Sequence, residues 1–220
     1  MNNFIYMFCF IMIDNLDSNI VSDIEYFLDK NIDNFISTTI FSDNKCINDL
    51  LYIIKNKLKL KNFPYKVICI DISHNNWQYP VWWISVMVWW ILSKKNYRKI
   101  KIPNELWWND YKSLKYCILK YFKNNSADLV ILDWWIWQLN IIDYLPNEIV
   151  LNTDFISIWK WNARFRKWKI YWNKEYFYNK NFKISIDYSL FEDRLLIKLR
   201  DEAHRFANNY RLKLKSLDFT

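Results

Sequence analysis

The chain has 220 residues, of which 52% are hydrophobic and 25% are charged, and its net charge is +8. This length fits one domain with a sizeable core, and this composition excludes a wholly disordered chain. The sequence has no apolar run of about 20 residues, so it contains no segment that would span a membrane as a helix.

The positive charge is concentrated in the later part of the chain. Residues 1–60 hold 8 acidic and 5 basic residues, net −3, whereas residues 61–220 hold 15 acidic and 26 basic residues, net +11. Such a basic part indicates a polyanionic partner such as nucleic acid, although a solvated basic surface explains the charge equally well.

The four cysteines, Cys9, Cys46, Cys69 and Cys117, form no CxxC pair and have no metal-ligand spacing. This pattern favours buried free thiols, which are typical of proteins in the reducing cytoplasm.

Glycine is absent from the chain, whereas tryptophan occurs 14 times. About 15 glycines are expected in a chain of this length. Without them, turns with positive φ must be built from residues that resist this conformation. Every tryptophan lies between Trp77 and Trp172, and four pairs of them are adjacent. We hypothesise that these codons encode glycine, for example UGA read under a different genetic code; the alternative is a Trp-rich protein with an aromatic surface.

The sequence pattern changes near residue 60. Residues 1–60 are predicted to form a helical, linker-like segment, with apolar residues at helical spacing in 21–29 and 47–60. Residues 61–220 are predicted to form one further domain. Its first strands are expected at residues 67–72, 81–88 and 97–102, where apolar runs or alternating patterns occur.

Helices and strands then alternate. Asn109 is a good N-cap for a helix that begins at Asp110. The remaining elements are expected to be a strand at 128–133, a short helix at 136–144, a strand at 149–158, a hairpin arm at 169–178 and a long helix at 190–214. This order predicts an α/β fold, a ribonuclease H-like mixed sheet flanked by helices, with a helical N-terminal extension. Folds of this kind place their chemistry at the carboxyl ends of parallel strands.

Two of the predicted strands carry an aspartate at their carboxyl end, Asp71 in the first and Asp133 in the fourth. If these strands are neighbours, the two carboxylates meet at one edge of the sheet and can share a divalent cation; each aspartate alone could equally cap a turn. His204 lies one position away from the apolar stripe of the last helix. It is either a structural histidine or the group that completes the site, as a third ligand or a proton shuttle.

Five motifs in the same order resemble the C-terminal endonuclease domain of UvrC, the nuclease subunit of bacterial nucleotide excision repair. The resemblance covers residues 58–220. The motifs lie at residues 71–74 (Asp-Ile-Ser-His), 97–102 (Tyr-Arg-Lys-Ile-Lys-Ile), 109–111 (Asn-Asp-Tyr), 132–140 and 200–207 (Arg-Asp-Glu-Ala-His-Arg-Phe-Ala).

The resemblance implies a DNA endonuclease that makes the 5′ incision next to a lesion. Asp71, Asp133 and His204 would form the metal and catalytic set for Mg²⁺ or Mn²⁺, and Asp110 matches a further family aspartate whose alternative role is helix capping. The implied partners are damaged double-stranded DNA and UvrB, with UvrA acting upstream. Candidates for contact with DNA phosphates, as positive groups that would flank the site, are Arg98, Lys99, Lys160 and Arg205, although a solvated surface position explains any single one equally well.

The resemblance also bears on the glycine hypothesis and on the length of the chain. Trp134, Trp135 and Trp137 fall on three family glycines, and Trp77 falls on another. Read literally, Trp134 and Trp135 would crowd the site. We expect the chain to be a fragment, because neither the GIY-YIG nuclease domain, the UvrB-binding region nor the helix-hairpin-helix tail of the family is recognisable.

Two other functions compete with the endonuclease. The first is a non-catalytic DNA-binding or assembly module of the same repair system, whose tryptophans would stack on bases. The second is another ribonuclease H-like nuclease, such as a resolvase or transposase relative, which would not be expected to share the motif at residues 200–207.

Overall fold

The structure is a computed structural model that describes residues 44–75, 78–106, 108–133, 136–160 and 175–217. The predicted helix at 21–29 lies outside the described residues, as do Trp77, Trp134 and Trp135. The chain divides into two compact units, Met1–Asn48 and Asp49–Thr220, and the elements given below belong to the second, apart from the first residues of the helix Asn44–Lys57. The predicted domain boundary between residues 60 and 61 stays a prediction.

The described part of the chain contains four α-helices, eight strands and three 3₁₀ helices. The α-helices are α1 (Asn44–Lys57), α2 (Asp110–Phe122), α3 (Asn147–Asn152) and α4 (Phe191–Leu217). The strands are β1 (Lys66–Asn75), β2 (Gln78–Val88), β3 (Ile91–Leu92), β4 (Arg98–Lys101), β5 (Leu129–Leu132), β6 (Asp154–Lys160), β7 (Glu175–Asn179) and β8 (Phe182–Ser185). The 3₁₀ helices are Lys94–Asn96, Asn104–Leu106 and Ile136–Tyr144.

The eight strands form one mixed sheet. Its order is β3-β2-β1-β5-β6-β7-β8, and β4 also pairs with β2. β1, β5 and β6 are parallel to one another, whereas the other pairings are antiparallel. Together with the flanking helices, this sheet confirms the predicted mixed α/β fold.

Helices cover both faces of the sheet. On one face, apolar side chains of β1, β2, β5 and α2 form the main core, which includes Ile68, Ile70, Ile84, Val130, Leu114 and Ile118. On the other face α4 packs against β1 and β2, and the Ser85 hydroxyl donates a 2.7 Å hydrogen bond to the carbonyl of Leu199. Because successive strand residues point to opposite faces, Asp71 lies on the α4 face.

The predicted strand at 149–158 is wrong in its first part. α3 occupies Asn147–Asn152, and β6 begins only at Asp154. Pro146 precedes α3, where a helix tolerates a residue without an N–H. A short apolar run does not by itself distinguish a helix from a strand, so the sequence pattern placed the boundary too early. The short helix predicted at 136–144 is present, as a 3₁₀ helix.

The capping and packing predictions for two helices are confirmed. Asn109 is the N-cap of α2, and its side chain accepts a 2.9 Å hydrogen bond from the backbone N–H of Lys112. In α4 the apolar stripe is buried at Leu195, Leu199 and Ala203. None of the helices in the described ranges is long and apolar enough to cross a membrane.

Cys69 and Cys117 are buried free thiols, as expected for these two positions. Burial raises the pKa of both. They contribute to packing as small apolar side chains, since thiols in such surroundings stay protonated and inert.

Two tryptophans occupy a turn that normally requires glycine. Trp89 and Trp90 join β2 to β3 as a two-residue loop, since Val88 and Ile91 are directly paired. Their φ angles are 53° and 64°, which is the left-handed region needed at both positions of a type I′ hairpin turn. Such a backbone is costly for a residue with a bulky side chain. This turn favours the hypothesis that glycine belongs at these positions.

The conformational cost at Trp89 can be measured by comparing two truncations. Trp89→Gly and Trp89→Ala both remove the half-exposed indole and its contact with Tyr65, but only glycine adopts positive φ without strain. We expect the glycine variant to have a free energy of unfolding about 1 kcal/mol higher than the alanine variant. Urea unfolding of the two variants measures this difference.

Trp108 provides the matched control, because it is also exposed and is not among the residues with positive φ in the described part of the chain. There the order should reverse, with alanine more stable than glycine. Equal stabilities of the two Trp89 variants would contradict the strained-turn interpretation.

Candidate metal centre

The register between β1 and β5 brings two aspartates to the same edge of the sheet. The parallel pairing runs from Val67↔Leu129 to Ile70↔Leu132. The next residues are Asp71 and Asp133, and the backbone N–H of Asp133 donates to the carbonyl of Ile70 (3.3 Å). Asp71 is not at the end of its strand, because β1 continues to Asn75 in antiparallel pairing with β2.

His204 reaches the two carboxylates from α4. Its Nδ1 lies 3.0 Å from Oδ2 of Asp71, and its Nε2 lies 3.2 Å from Oδ2 of Asp133. The helix is fixed on the sheet next to this position, since Leu199 and Ala203 are fully buried. The imidazole therefore bridges the two carboxylates at the edge of the sheet.

The cluster is buried on the sheet side and open on the helix side. The exposed fraction of the side chain rises from 1% for Asp71 to 13% for Asp133 and 56% for His204. Both carboxylate oxygens of Asp71 and one of Asp133 are buried without a donor in hydrogen-bond geometry among the described residues. Buried carboxylate oxygens usually have such a partner; here the two Oδ2 atoms face the nitrogens of His204, and a bound cation would satisfy all three oxygens.

The close approach of these groups shifts the pKa values of Asp133 and His204. Burial, together with the nearby charge of Asp71, raises the pKa of Asp133 to about 6, although His204 and Arg200 oppose the shift. The Asp71 carboxylate beside Nδ1 raises the pKa of His204, and the charge of Asp133 adds to this effect. Two carboxylates at close range with a proton-accepting ring between them are typical of a site that binds positive charge.

The cluster fits a divalent cation. Asp71, Asp133 and His204 each offer one ligand atom, and these atoms all lie within 4.8 Å of one another. Carboxylate oxygens suit Mg²⁺ and Mn²⁺, and an imidazole nitrogen is a common additional metal ligand. The burial of the carboxylates and the exposure of the imidazole leave one side open to a substrate.

Asp110, the other predicted site residue, is not part of this group. It is the first residue of α2, next to the N-cap Asn109, and its carboxylate is not among the ligand atoms that lie within 4.8 Å of one another. An acidic residue in the first turn stabilises a helix through its dipole, which accounts for Asp110 structurally.

The four predicted DNA-contact residues are not equally placed. In the register of the sheet Lys99 is opposite Trp83 of β2, and Trp83 is opposite Asp71 of β1. Lys99 therefore lies on the same face of the sheet as the metal cluster, two strands away from Asp71. Arg98, its neighbour in the strand, lies on the opposite face and donates to the carbonyls of Lys95 and Tyr97.

Arg205 is exposed on α4, and both its Nε and Nη2 donate to Glu202 (2.6 and 2.7 Å). Lys160 is the last residue of β6 and is the backbone partner of Glu175. The structure thus places Arg205 one residue beyond His204, and places the Lys160 backbone at the carboxyl end of a parallel strand.

The sequence interpretation did not assign Arg200 or Glu175 to the site. Arg200 Nη1 donates to Oε2 of the buried Glu175 at 2.7 Å. A signal for Arg200 was available, since it precedes His204 by four residues and so shares its side of the helix. No pattern identified Glu175, which is separated from Arg200 by 25 residues and reaches it only through the tertiary fold.

The raised pKa values predict how the stability of the metal-free protein depends on pH. A group whose pKa is raised by folding stabilises the native state at low pH, and this contribution is lost as the pH rises through the folded pKa. For Asp133 the loss spans the range from about 4 to about 6, and His204 extends it above 6.5. We therefore expect Asp133→Asn to gain stability relative to the wild type as the pH is raised from 4 to 8.

Urea unfolding in EDTA at several pH values measures this difference. Comparison with Asp143→Asn, which removes an exposed carboxylate paired with Lys180, separates the effect of the cluster from that of net charge. A difference between the wild type and Asp133→Asn that is independent of pH would contradict the assigned ionisation.

The chain resembles known proteins over most of its length. A family profile described as the UvrC RNAse H endonuclease domain matches residues 55–208. A relative from Thermosipho africanus, named UvrABC system protein C, is 32% identical over 181 residues, which is 82% of this chain and 30% of the relative. Proteins of the same name from Thermotoga petrophila and Finegoldia magna are 30% and 28% identical, over 71% and 70% of this chain and 26% of each relative.

The chain thus spans less than a third of the length of these relatives. The matched residues contain every element from β1 to β8, most of α4, and all three members of the metal cluster. On this evidence the chain belongs to the UvrC RNase H endonuclease domain family.

Proposed function

We propose that this chain is the part of a nucleotide excision repair nuclease that makes the 5′ incision next to a lesion, by divalent-metal-assisted hydrolysis of a phosphodiester. The observation that supports it is the cluster of Asp71, Asp133 and His204, whose ligand atoms lie within 4.8 Å of one another at the carboxyl edge of the sheet. The family supports a nuclease of this repair system; the incision and its metal are our inference.

In this proposal the two aspartates hold Mg²⁺ or Mn²⁺, which when bound would polarise a phosphate oxygen and lower the pKa of an attacking water. The carboxylate of Asp71 is fully buried, so the surrounding protein fixes its position. His204 acts either as a third ligand or as a proton carrier, and its exposed edge gives it access to water and substrate.

The proposed substrate is damaged double-stranded DNA, and the proposed partner is UvrB, with UvrA acting before it. The net charge of +11 on residues 61–220 supports a polyanionic substrate. Of the predicted DNA-contact residues, Lys99 lies on the sheet face that carries Asp71, and Arg205 directly follows His204 on α4. Action in the cytoplasm stays a prediction.

Direct metal binding tests the proposed centre. Asp71→Asn and Asp133→Asn each remove one ligand charge while conserving shape. Loss of an outer-shell partner weakens metal binding about 10–100-fold. We expect each of these two variants to weaken Mn²⁺ binding by more than that. Isothermal titration calorimetry measures the Mn²⁺ affinity, and Asp143→Asn, at an exposed position, is the control variant. Unchanged Mn²⁺ affinity in both cluster variants would sink the metal centre.

His204→Ala separates a functional histidine from a structural one. The imidazole is more than half exposed, so at pH 8 we expect the free energy of unfolding to change by no more than about 0.5 kcal/mol. Incision of damaged duplex DNA in the presence of UvrA, UvrB and Mn²⁺ should be abolished. A variant that is strongly destabilised and still cuts the DNA would remove His204 from the site.

A further inference from the structure

Arg200 is held by two carboxylates that differ greatly in exposure. Its Nη1 donates to Oε2 of Glu175 at 2.7 Å, and the side chain of Glu175 is only 3% exposed. The hydroxyl of Tyr188 also donates to Oε2 of Glu175, at 2.6 Å. On its other edge, Nε and Nη2 of Arg200 donate to a single oxygen of Asp201, whose side chain is 59% exposed.

Arg200 lies next to the metal cluster. It precedes His204 by one helical turn, so both side chains project from the same side of α4. Its charge opposes the rise in the pKa of both Asp133 and His204, which agrees with this placement because charges interact strongly only at short range. Glu175 pairs with the last residue of β6, so it too lies at the carboxyl edge of the parallel strands.

The two carboxylates that bind Arg200 differ in what their release would cost, because Glu175 is buried and Asp201 is exposed. Breaking a buried pair leaves an uncompensated charge, which is strongly unfavourable. The Asp201 carboxylate is more than half exposed, so its release returns a solvated group to water at little cost. An incoming anion can therefore replace Asp201 while Glu175 keeps the guanidinium in place. The flat Nε–Nη2 edge of arginine matches two oxygens of a phosphate group.

We propose that Arg200 binds a phosphodiester of the nucleic-acid backbone beside the metal centre, with its outer edge exchanging Asp201 for phosphate oxygens. Glu175 anchors the guanidinium, and Asp201 occupies its outer edge until the phosphate arrives. The inference rests on the proposed function and adds to it a substrate-binding residue and the acidic group that competes with the substrate.

Binding of a fluorescent 30-base-pair DNA duplex in EDTA tests this inference without cleavage. Arg200→Met should weaken binding about tenfold, which is the cost of losing one charged hydrogen-bonding group. It should also reduce the slope of log affinity against log salt by about one, because one phosphate contact is lost. The matched control is Lys180→Met, since Lys180 follows β7 at the end opposite Glu175 and is paired with the exposed Asp143.

Asp201→Asn provides the second measurement, because it leaves the buried pair intact and does not threaten folding. Removal of the competing carboxylate should tighten DNA binding about twofold to fivefold. Asp143→Asn makes the same change in net charge at the control pair of Lys180 and Asp143, and should tighten DNA binding less.

The proposal is overturned if Asp201→Asn binds DNA no more tightly than Asp143→Asn, or if a folded Arg200→Met has the same salt slope as Lys180→Met. These outcomes are independent of the nuclease test. Wild-type protein that shows no Mn²⁺-dependent incision with UvrA and UvrB would refute the proposed function, whatever the salt slopes are.

Discussion

The parallel pairing of β1 with β5 is the constraint on which the candidate site depends. It aligns Ile70 with Leu132 and so places Asp71 and Asp133 side by side, immediately beyond the last paired residues. Residues 67–71 of β1 and all of β5 are buried, and register is strongly specified where strand faces are buried. A slip of one residue would move every side chain to the other face of the sheet and would separate the carboxylates.

Placing two carboxylates together in a buried position has an electrostatic cost. The raised pKa of Asp133 records this cost, which comes from burial and from the negative charge of Asp71. The positive charge that offsets this cost comes from α4, which carries both His204 and Arg200 on the side that faces the edge of the sheet. The apolar stripe of this helix is buried, so packing at Leu199 and Ala203 determines where those charges lie.

The tryptophans show how differently one residue type can fit its surroundings. Trp82 lies in the core, 2% exposed, and its indole N–H donates to the hydroxyl of Ser113. Trp83 packs edge-on against Phe206 of α4. Trp89 and Trp90, by contrast, occupy a turn whose φ angles suit glycine. A side chain that packs well in a strand can therefore still be unfavourable in a turn, where backbone sterics decide.

The sequence by itself determined the α/β class, the N-cap at Asn109, the apolar stripe of α4 and the motifs that carry Asp71, Asp133 and His204, because these depend on local periodicity, capping and residue identity. It misplaced the start of β6, since a short apolar run fits a helix and a strand equally well. Strand alternation puts Lys99 and Arg98 on opposite faces, but the sequence could not tell which of the two shares the face of Asp71, because this follows from the pairing of β4 with β2 and of β2 with β1. The link between Glu175 and Arg200 and the convergence of the three site residues were decided only by the tertiary structure. Both join groups far apart in the chain, and only the strand order and the packing of α4 bring them within hydrogen-bond or ion-pair distance.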